Sequence, residues 1–127
     1  MRILIADKLS ENCASALADL GLEVVNQPDL TAEQIPDALE GVGAIVVRST
    51  RVTAEALERG QDLSLVIRAG AGVNTIDLPT ASRRGIYVAN CPGKNTAAVA
   101  ELTIGLLVAA DRQIVKPMQP WIAYHQI

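Results

Sequence analysis

The stretch Val66–Glu101, VIRAGAGVNTIDLPTASRRGIYVANCPGKNTAAVAE, decides the fold. It reads as a buried strand ending in Arg68, a glycine loop (Ala69, Gly70, Ala71, Gly72), a short helix and a second strand. Asn90-Cys91-Pro92-Gly93-Lys94-Asn95-Thr96 then opens an apolar helix. Strand and helix in strict alternation imply parallel strands, because parallel neighbours need a crossover between them. A strand whose carboxyl end carries an arginine, followed by amides bare of side chains, is suited to hold a small anion.

Outward from this stretch the same rhythm covers most of the chain. Apolar runs begin at Ile3, Glu23, Ala44, Leu65 and Tyr87, and a helix-like or polar segment follows each. Ser10 is positioned to cap a helix over about Glu11 to Leu20, which Gly21 ends in the left-handed conformation. Thr31 can cap a second helix with Pro36 early in it, since proline is tolerated only near a helix start. Thr53 caps a third that Gly60 ends, and Asp77 caps a fourth with Pro79 in its first turn and Gly85 after it. Asn95 caps the last, which runs to about Gln113. The expectation is an α/β domain of flavodoxin-like form: an open parallel five-stranded sheet with helices on both faces. The order 2-1-3-4-5 keeps its connections short.

The 127 residues suffice for one domain, able to bury roughly two-thirds of the surface its unfolded chain exposes. Half of the residues are apolar, yet there is no Phe, one Trp and two Tyr, so the core must be built from Val, Ile, Leu and Ala. That suits strands buried on both faces. A net charge of -3 argues against nucleic acid or a bulk membrane surface as partner, so any positive site must be local. The apolar run Leu102 to Ala110 falls well short of the ~20 residues that span a bilayer. Ile3-Leu4-Ile5-Ala6 is too short for a signal segment and reads as a first strand. Cys13 and Cys91 have no metal-type spacing and make no disulfide framework, so no metal site is expected and a reduced, cytoplasmic setting is.

In open parallel sheets ligands sit outside the carboxyl ends of the strands. There the chain places Asp7 after strand 1, Arg48-Ser49-Thr50-Arg51 after strand 3, Arg68 with its glycines after strand 4, and Asn90 to Asn95 after strand 5. Arginine forks bind carboxylate or phosphate through paired hydrogen bonds. The competing reading is that these arginines are solvated or paired with nearby Asp and Glu, Arg51 above all. Gly70-Ala71-Gly72-Val73-Asn74-Thr75 imitates a dinucleotide fingerprint, but Thr75 stands where the third glycine belongs and no acidic residue follows strand 5 to hold a ribose. It remains a close-approach loop. Asn95 reads as a helix cap, a role compatible with anion binding at the same helix start. Cys91 lacks a histidine base near it in sequence. His125, the only histidine, lies in the tail and is not expected to be catalytic. Glu101 reads as a buried carboxylate or as one facing a groove or an interface. The last helix is apolar on nearly every side, a pattern that belongs to a helix buried all round. A domain this small seldom surrounds a helix, so a second domain or subunit is expected to cover it.

Val46-Val47-Arg48-Ser49, Arg68-Ala69-Gly70-Ala71-Gly72-Val73 and Asn90 to Thr96 leading to Ala100-Glu101-Leu102 together give a specific signal. On these residues the chain resembles the amino-terminal substrate domain of the D-isomer-specific 2-hydroxyacid dehydrogenases, most of all the branch that oxidises 3-phosphoglycerate for serine biosynthesis. The resemblance runs from Met1 to about Gln113. It implies that Arg48, Ser49, Arg68, Ala69, Gly70 and Asn95 approach the substrate's carboxylate or phosphate. Ala71 is implied to lie beside the nicotinamide end of NAD, the family's cofactor. Asn74-Thr75 stand where the family often has Asp-Asn, and Lys94 where a small residue is common.

The expected organisation is a substrate-binding domain over 1–113, including the interdomain-type helix 95–113, and an irregular tail over 114–127 after the Lys116-Pro117 break. Family members continue into a Rossmann domain that holds NAD and the residues of hydride transfer; no such sequence follows Gln113 here. The chain is therefore read as a truncated form that binds a small anionic substrate, retains no catalytic residue, holds NAD poorly alone and turns nothing over. Its partners would be the nucleotide-binding domain or a second copy in a homo-oligomer. The rival reading is a stand-alone anion-binding or dimerising flavodoxin-like module. A receiver-type signalling domain would need an acceptor aspartate where Arg48 stands.

Overall fold

Along β1 (Arg2–Ile5) the side chains alternate between two cores, Ile3 and Ile5 on one face of a sheet and Leu4 with the following Ala6 on the other. In this computed structural model, which describes residues 1–112 and 114, the same alternation repeats in β3 (Ala44–Val47). Ala44 and Val46 join the first face, Ile45 and Val47 the second, and all four are buried. Two-sided burial of Val, Ile and Ala is what a central parallel strand requires.

The remaining strands are β2 (Glu23–Asn26), β4 (Leu65–Arg68) and β5 (Tyr87–Asn90). All pairings are parallel and the order is β2-β1-β3-β4-β5, as the sequence implied. Of the connecting helices, α1 (Glu11–Asp19) covers the first face, where Cys13, Ala14 and Leu17 pack on Ile3, Ile5, Ala44 and Val46. On the second face α2 (Ile35–Ala38), α3 (Ala54–Arg59) and α4 (Leu78–Arg83) contribute Ile35, Ala56, Leu57 and Ala81 to the larger core. Strands, α1 to α4 and their loops form one compact unit, Met1–Pro92.

The helix ends follow the expected chemistry in part. Thr53 Oγ1 accepts the Ala56 amide at 3.3 Å and Asp77 Oδ1 the Thr80 amide at 3.0 Å, so both caps form. Gly21 and Gly85 take positive φ after α1 and α4, while Gly60 ends α3 with an ordinary φ of -72°. Ser10 stands at the start of α1 without a side-chain cap bond. Thr31 opens a turn ahead of α2: its amide donates to Gln34 Oε1 at 2.9 Å, and the helix proper begins at Ile35, which puts Pro36 in its first turn.

A second unit begins at Gly93 and contains α5 (Thr96–Asp111). Its apolar sequence is as read, and among the described residues nothing covers it: none of its residues is buried, and Val99, Leu102, Ile104, Leu106, Leu107 and Val108 are all at least 52% exposed. One helix cannot enclose itself. Glu101 is exposed as well. The expected tail lies outside the described residues, Ile114 apart, and His125 with it.

Candidate functional site

Parallel register lines up the carboxyl ends of three strands. Val47 pairs with Arg68 and Arg68 with Asn90, so the segment starting at Arg48, the glycine loop after Arg68 and the segment starting at Cys91 leave the sheet side by side. Strands in such a row lie ~4.8 Å apart. Arg48, Ser49, Arg68 and Gly70 therefore share one rim, as the sequence implied.

Gly70 leaves room for the side chain of Arg68. The guanidinium of Arg68 lies over Gly70, and a Cβ at that position would run into its Nη1 and Cζ. The loop was read as amides laid bare for a ligand, but two of those amides are already taken. The Ala69 amide donates to Val47 O at 2.7 Å and the Gly70 amide to Arg68 O at 2.8 Å. Ala69 also turns its methyl into the core beside Ile3 and Ile5, so it anchors the strand end. The amides of Ala71 and Gly72 make no such bond among the described residues.

Asn90, which the sequence placed on the rim without assigning it a task, ties the loop to β5. Its Nδ2 donates to Ala71 O at 2.6 Å, and the next amide, Cys91, donates to Gly70 O at 2.9 Å. The clue available in sequence was position alone: an amide side chain at a strand terminus facing a loop 19 residues earlier.

Asp7 organises the other side of the rim. Its Oδ2 accepts the backbone amides of Arg48, Ser49 and Thr50 at 2.7, 3.0 and 2.9 Å, and its Oδ1 accepts the Thr50 hydroxyl at 3.1 Å. Partial burial pushes this carboxyl up, but the amides of Arg48, Thr50 and Ser49 with the Thr50 hydroxyl outweigh it and hold the group below its ordinary 3.8.

None of Arg48, Arg51 and Arg68 forms an ion pair among the described residues. Arg68 Nε is buried with no acceptor among the described residues. A buried cationic N–H without a partner is costly, and an arriving oxyanion would remove that cost. Arg51 stands apart from this pair: it lines a cavity of about 280 Å³ with Thr53, Asn74, Thr75 and Asp77, and none of Arg48, Ser49, Arg68 or Gly70 borders it. Asn95 belongs to the second unit and stands at the start of α5 with φ -111° and ψ 8° and no side-chain cap bond. The expected cap is absent because this backbone is not the extended form that directs an N-cap side chain at the first-turn amides. Cys91 is exposed, and no cluster of metal-ligating side chains occurs among the described residues.

A doubly wound parallel sheet with an arginine-bearing carboxyl rim is the architecture of small-ligand domains. The family model described as D-isomer specific 2-hydroxyacid dehydrogenase, catalytic domain, matches residues 3–123, and the chain belongs to that family of NAD-dependent oxidoreductases. Among its relatives, the D-3-phosphoglycerate dehydrogenase of Rattus norvegicus is 41% identical over 114 residues, 89% of this chain and 21% of that protein. That of Archaeoglobus fulgidus is 40% identical over 115 residues, 90% and 22%. The chain thus spans about a fifth of the length of these curated relatives. Among solved structures, a protein from Thermus thermophilus superposes with a TM-score of 0.82 at 32% identity, over 92% of this chain and 39% of that one. The NAD+-bound 3-phosphoglycerate dehydrogenase of Entamoeba histolytica does so with a TM-score of 0.76 at 28% identity, over 86% and 38%.

Proposed function

We propose that this chain is the substrate-binding part of a phosphoglycerate dehydrogenase-like oxidoreductase, holding the carboxylate or phosphate of 3-phosphoglycerate or a related D-2-hydroxyacid while its C2 hydroxyl is oxidised. The observation that supports it most is the pair Arg48 and Arg68, side by side on the rim with no carboxylate partner among the described residues. Ser49 adds a hydroxyl, Gly70 leaves room for the Arg68 guanidinium, and the family resemblance assigns Asn95 a substrate-binding role as well.

NAD supplies the acceptor for the hydride in this reading. The described residues do not amount to a dinucleotide site: Thr75 fills the third glycine position, and Ala71, on the nicotinamide side, is the one residue assigned to the cofactor. Nor do they include a histidine to take the hydroxyl proton. Binding without turnover is therefore the expected behaviour of this chain. Titration calorimetry with 3-phosphoglycerate should give saturable binding, weaker for D-lactate, which lacks the phosphate. Absence of binding would refute the proposal, and NADH formation above a protein-free blank would refute the lack of turnover.

The exposed apolar side chains of α5 favour a second element of the proposal, that a nucleotide-binding domain or a second copy of the chain covers this helix. Light scattering that reports a monomer at every concentration would remove the homo-oligomer.

A further inference from the structure

Three consecutive amides aimed at one point make an anion-binding concavity, a backbone nest. Arg48, Ser49 and Thr50 form such a nest at the end of β3, and it is occupied: Asp7 Oδ2 receives all three amides at 2.7 to 3.0 Å. The acceptor and its donors are 41 to 43 residues apart in sequence, so this is a tertiary contact and not a local turn. The three amides make no other hydrogen bond among the described residues, and the Thr50 hydroxyl is also directed to Asp7. The two side chains between the pinned amides, Arg48 and Ser49, are exposed and make no hydrogen bond of their own among the described residues.

We propose that Asp7 is the positioning residue of the anion site: an internal carboxylate that fills the Arg48–Thr50 nest and thereby fixes the backbone from which Arg48 and Ser49 reach the substrate. The inference rests on the substrate reading given above. Because the nest is filled from within, an incoming carboxylate or phosphate is denied the backbone amides of this loop and must be held by side chains. The amide dipoles at the same time offset the negative charge of Asp7, so that a carboxylate next to an anion site does not repel its ligand.

Small carboxylates separate this role from a general contribution to folding. In the unaltered chain formate competes for the arginines and weakens 3-phosphoglycerate binding. In Asp7→Ala the nest is vacated, binding falls at least about tenfold, and formate, by refilling the nest, strengthens it. The expected result is this reversal in the sign of the formate effect, accompanied by amide resonances of Arg48, Ser49 and Thr50 that broaden or shift in Asp7→Ala and return with formate. Unchanged affinity in Asp7→Ala, or a loss that formate does not reverse, overturns the positioning role. Should Asp7→Ala fail to fold, Asp7→Asn keeps the shape while removing the charge; intermediate affinity supports the role and affinity equal to the unaltered chain overturns it. If the unaltered chain binds no 3-phosphoglycerate, the substrate reading fails by itself. The three resonances then still decide the role of Asp7, which falls if they are indifferent to its substitution.

Discussion

Away from the carboxyl rim, Arg2, Arg59, Arg83 and Arg84 are matched from within. Arg2 at the start of β1 meets Glu23 at the start of β2 at 2.7 Å, Arg59 meets Asp37, and Arg83 meets Glu58. Arg84 reaches the last turn of α3, donating to the carbonyls of Leu57, Glu58 and Gly60, groups a helix end leaves unpaired. At the rim, Arg48 and Arg68 have no such partners among the described residues. The same residue type serves two purposes on one small sheet, and what separates them is whether the fold supplies the counter-charge or leaves it to come from solution.

That contrast can be broken at several points. Arg68→Ala should reduce 3-phosphoglycerate affinity ten- to a hundredfold, matching about 1.5 to 3 kcal/mol for a charge-assisted bond, while thermal unfolding stays close to that of the unaltered chain. A large drop in unfolding temperature with unchanged affinity would show Arg68 to be structural. Arg84→Ala should do the reverse, costing about 1 to 3 kcal/mol in urea unfolding through the carbonyls it abandons, with affinity preserved. Gly70→Ala retains every charge yet pushes the guanidinium aside, so calorimetry should report roughly a tenfold loss; an unaffected affinity would show that Arg68 needs no fixed place.

Acid should act on the rim through Asp7. Its folded-state carboxyl lies below the ordinary 3.8, so its contribution to stability is complete above that value and is lost as pH falls through the folded pKa. Amide exchange at Arg48 to Thr50 should accelerate at those acidic values, and rates that ignore this range would detach Asp7 from the loop. The smallest effect belongs to Arg2→Ala, where an exposed pair is worth at most about 1 kcal/mol in unfolding.

Much of this arrangement was legible in the chain. Strand starts, the order 2-1-3-4-5 and the caps Thr53 and Asp77 follow from local pattern and from the rule of short connections. The rim arginines were legible too, since a residue just after a parallel strand has only one edge to occupy. What escaped was long-range. Nothing near Asp7 in sequence announces Arg48, and nothing near Asn90 announces Ala71; both contacts exist only because strands β1 and β3, and β4 and β5, become neighbours. The role of Gly70 was hidden for a related reason, because the side chain it accommodates belongs to the residue two positions earlier, folded back over it. At Ser10, Thr31 and Asn95 residue type promised a cap that the structure does not form.

The Asp7 contact also has a consequence in time. Its two halves are the carboxyl end of the first strand and that of the third, and β1 pairs β3 through Ile3–Ala44, Leu4–Ile45 and Ile5–Val46. This pairing closes a loop of some forty residues, for which the entropic cost grows only slowly with length. Once it has formed, the Arg48–Thr50 amides have their acceptor, whether or not β4 and β5 have joined the sheet. Half of the anion rim would thus be in place when the first fifty residues have organised, and a refolding experiment that follows amide protection should see Arg48, Ser49 and Thr50 shielded before Cys91.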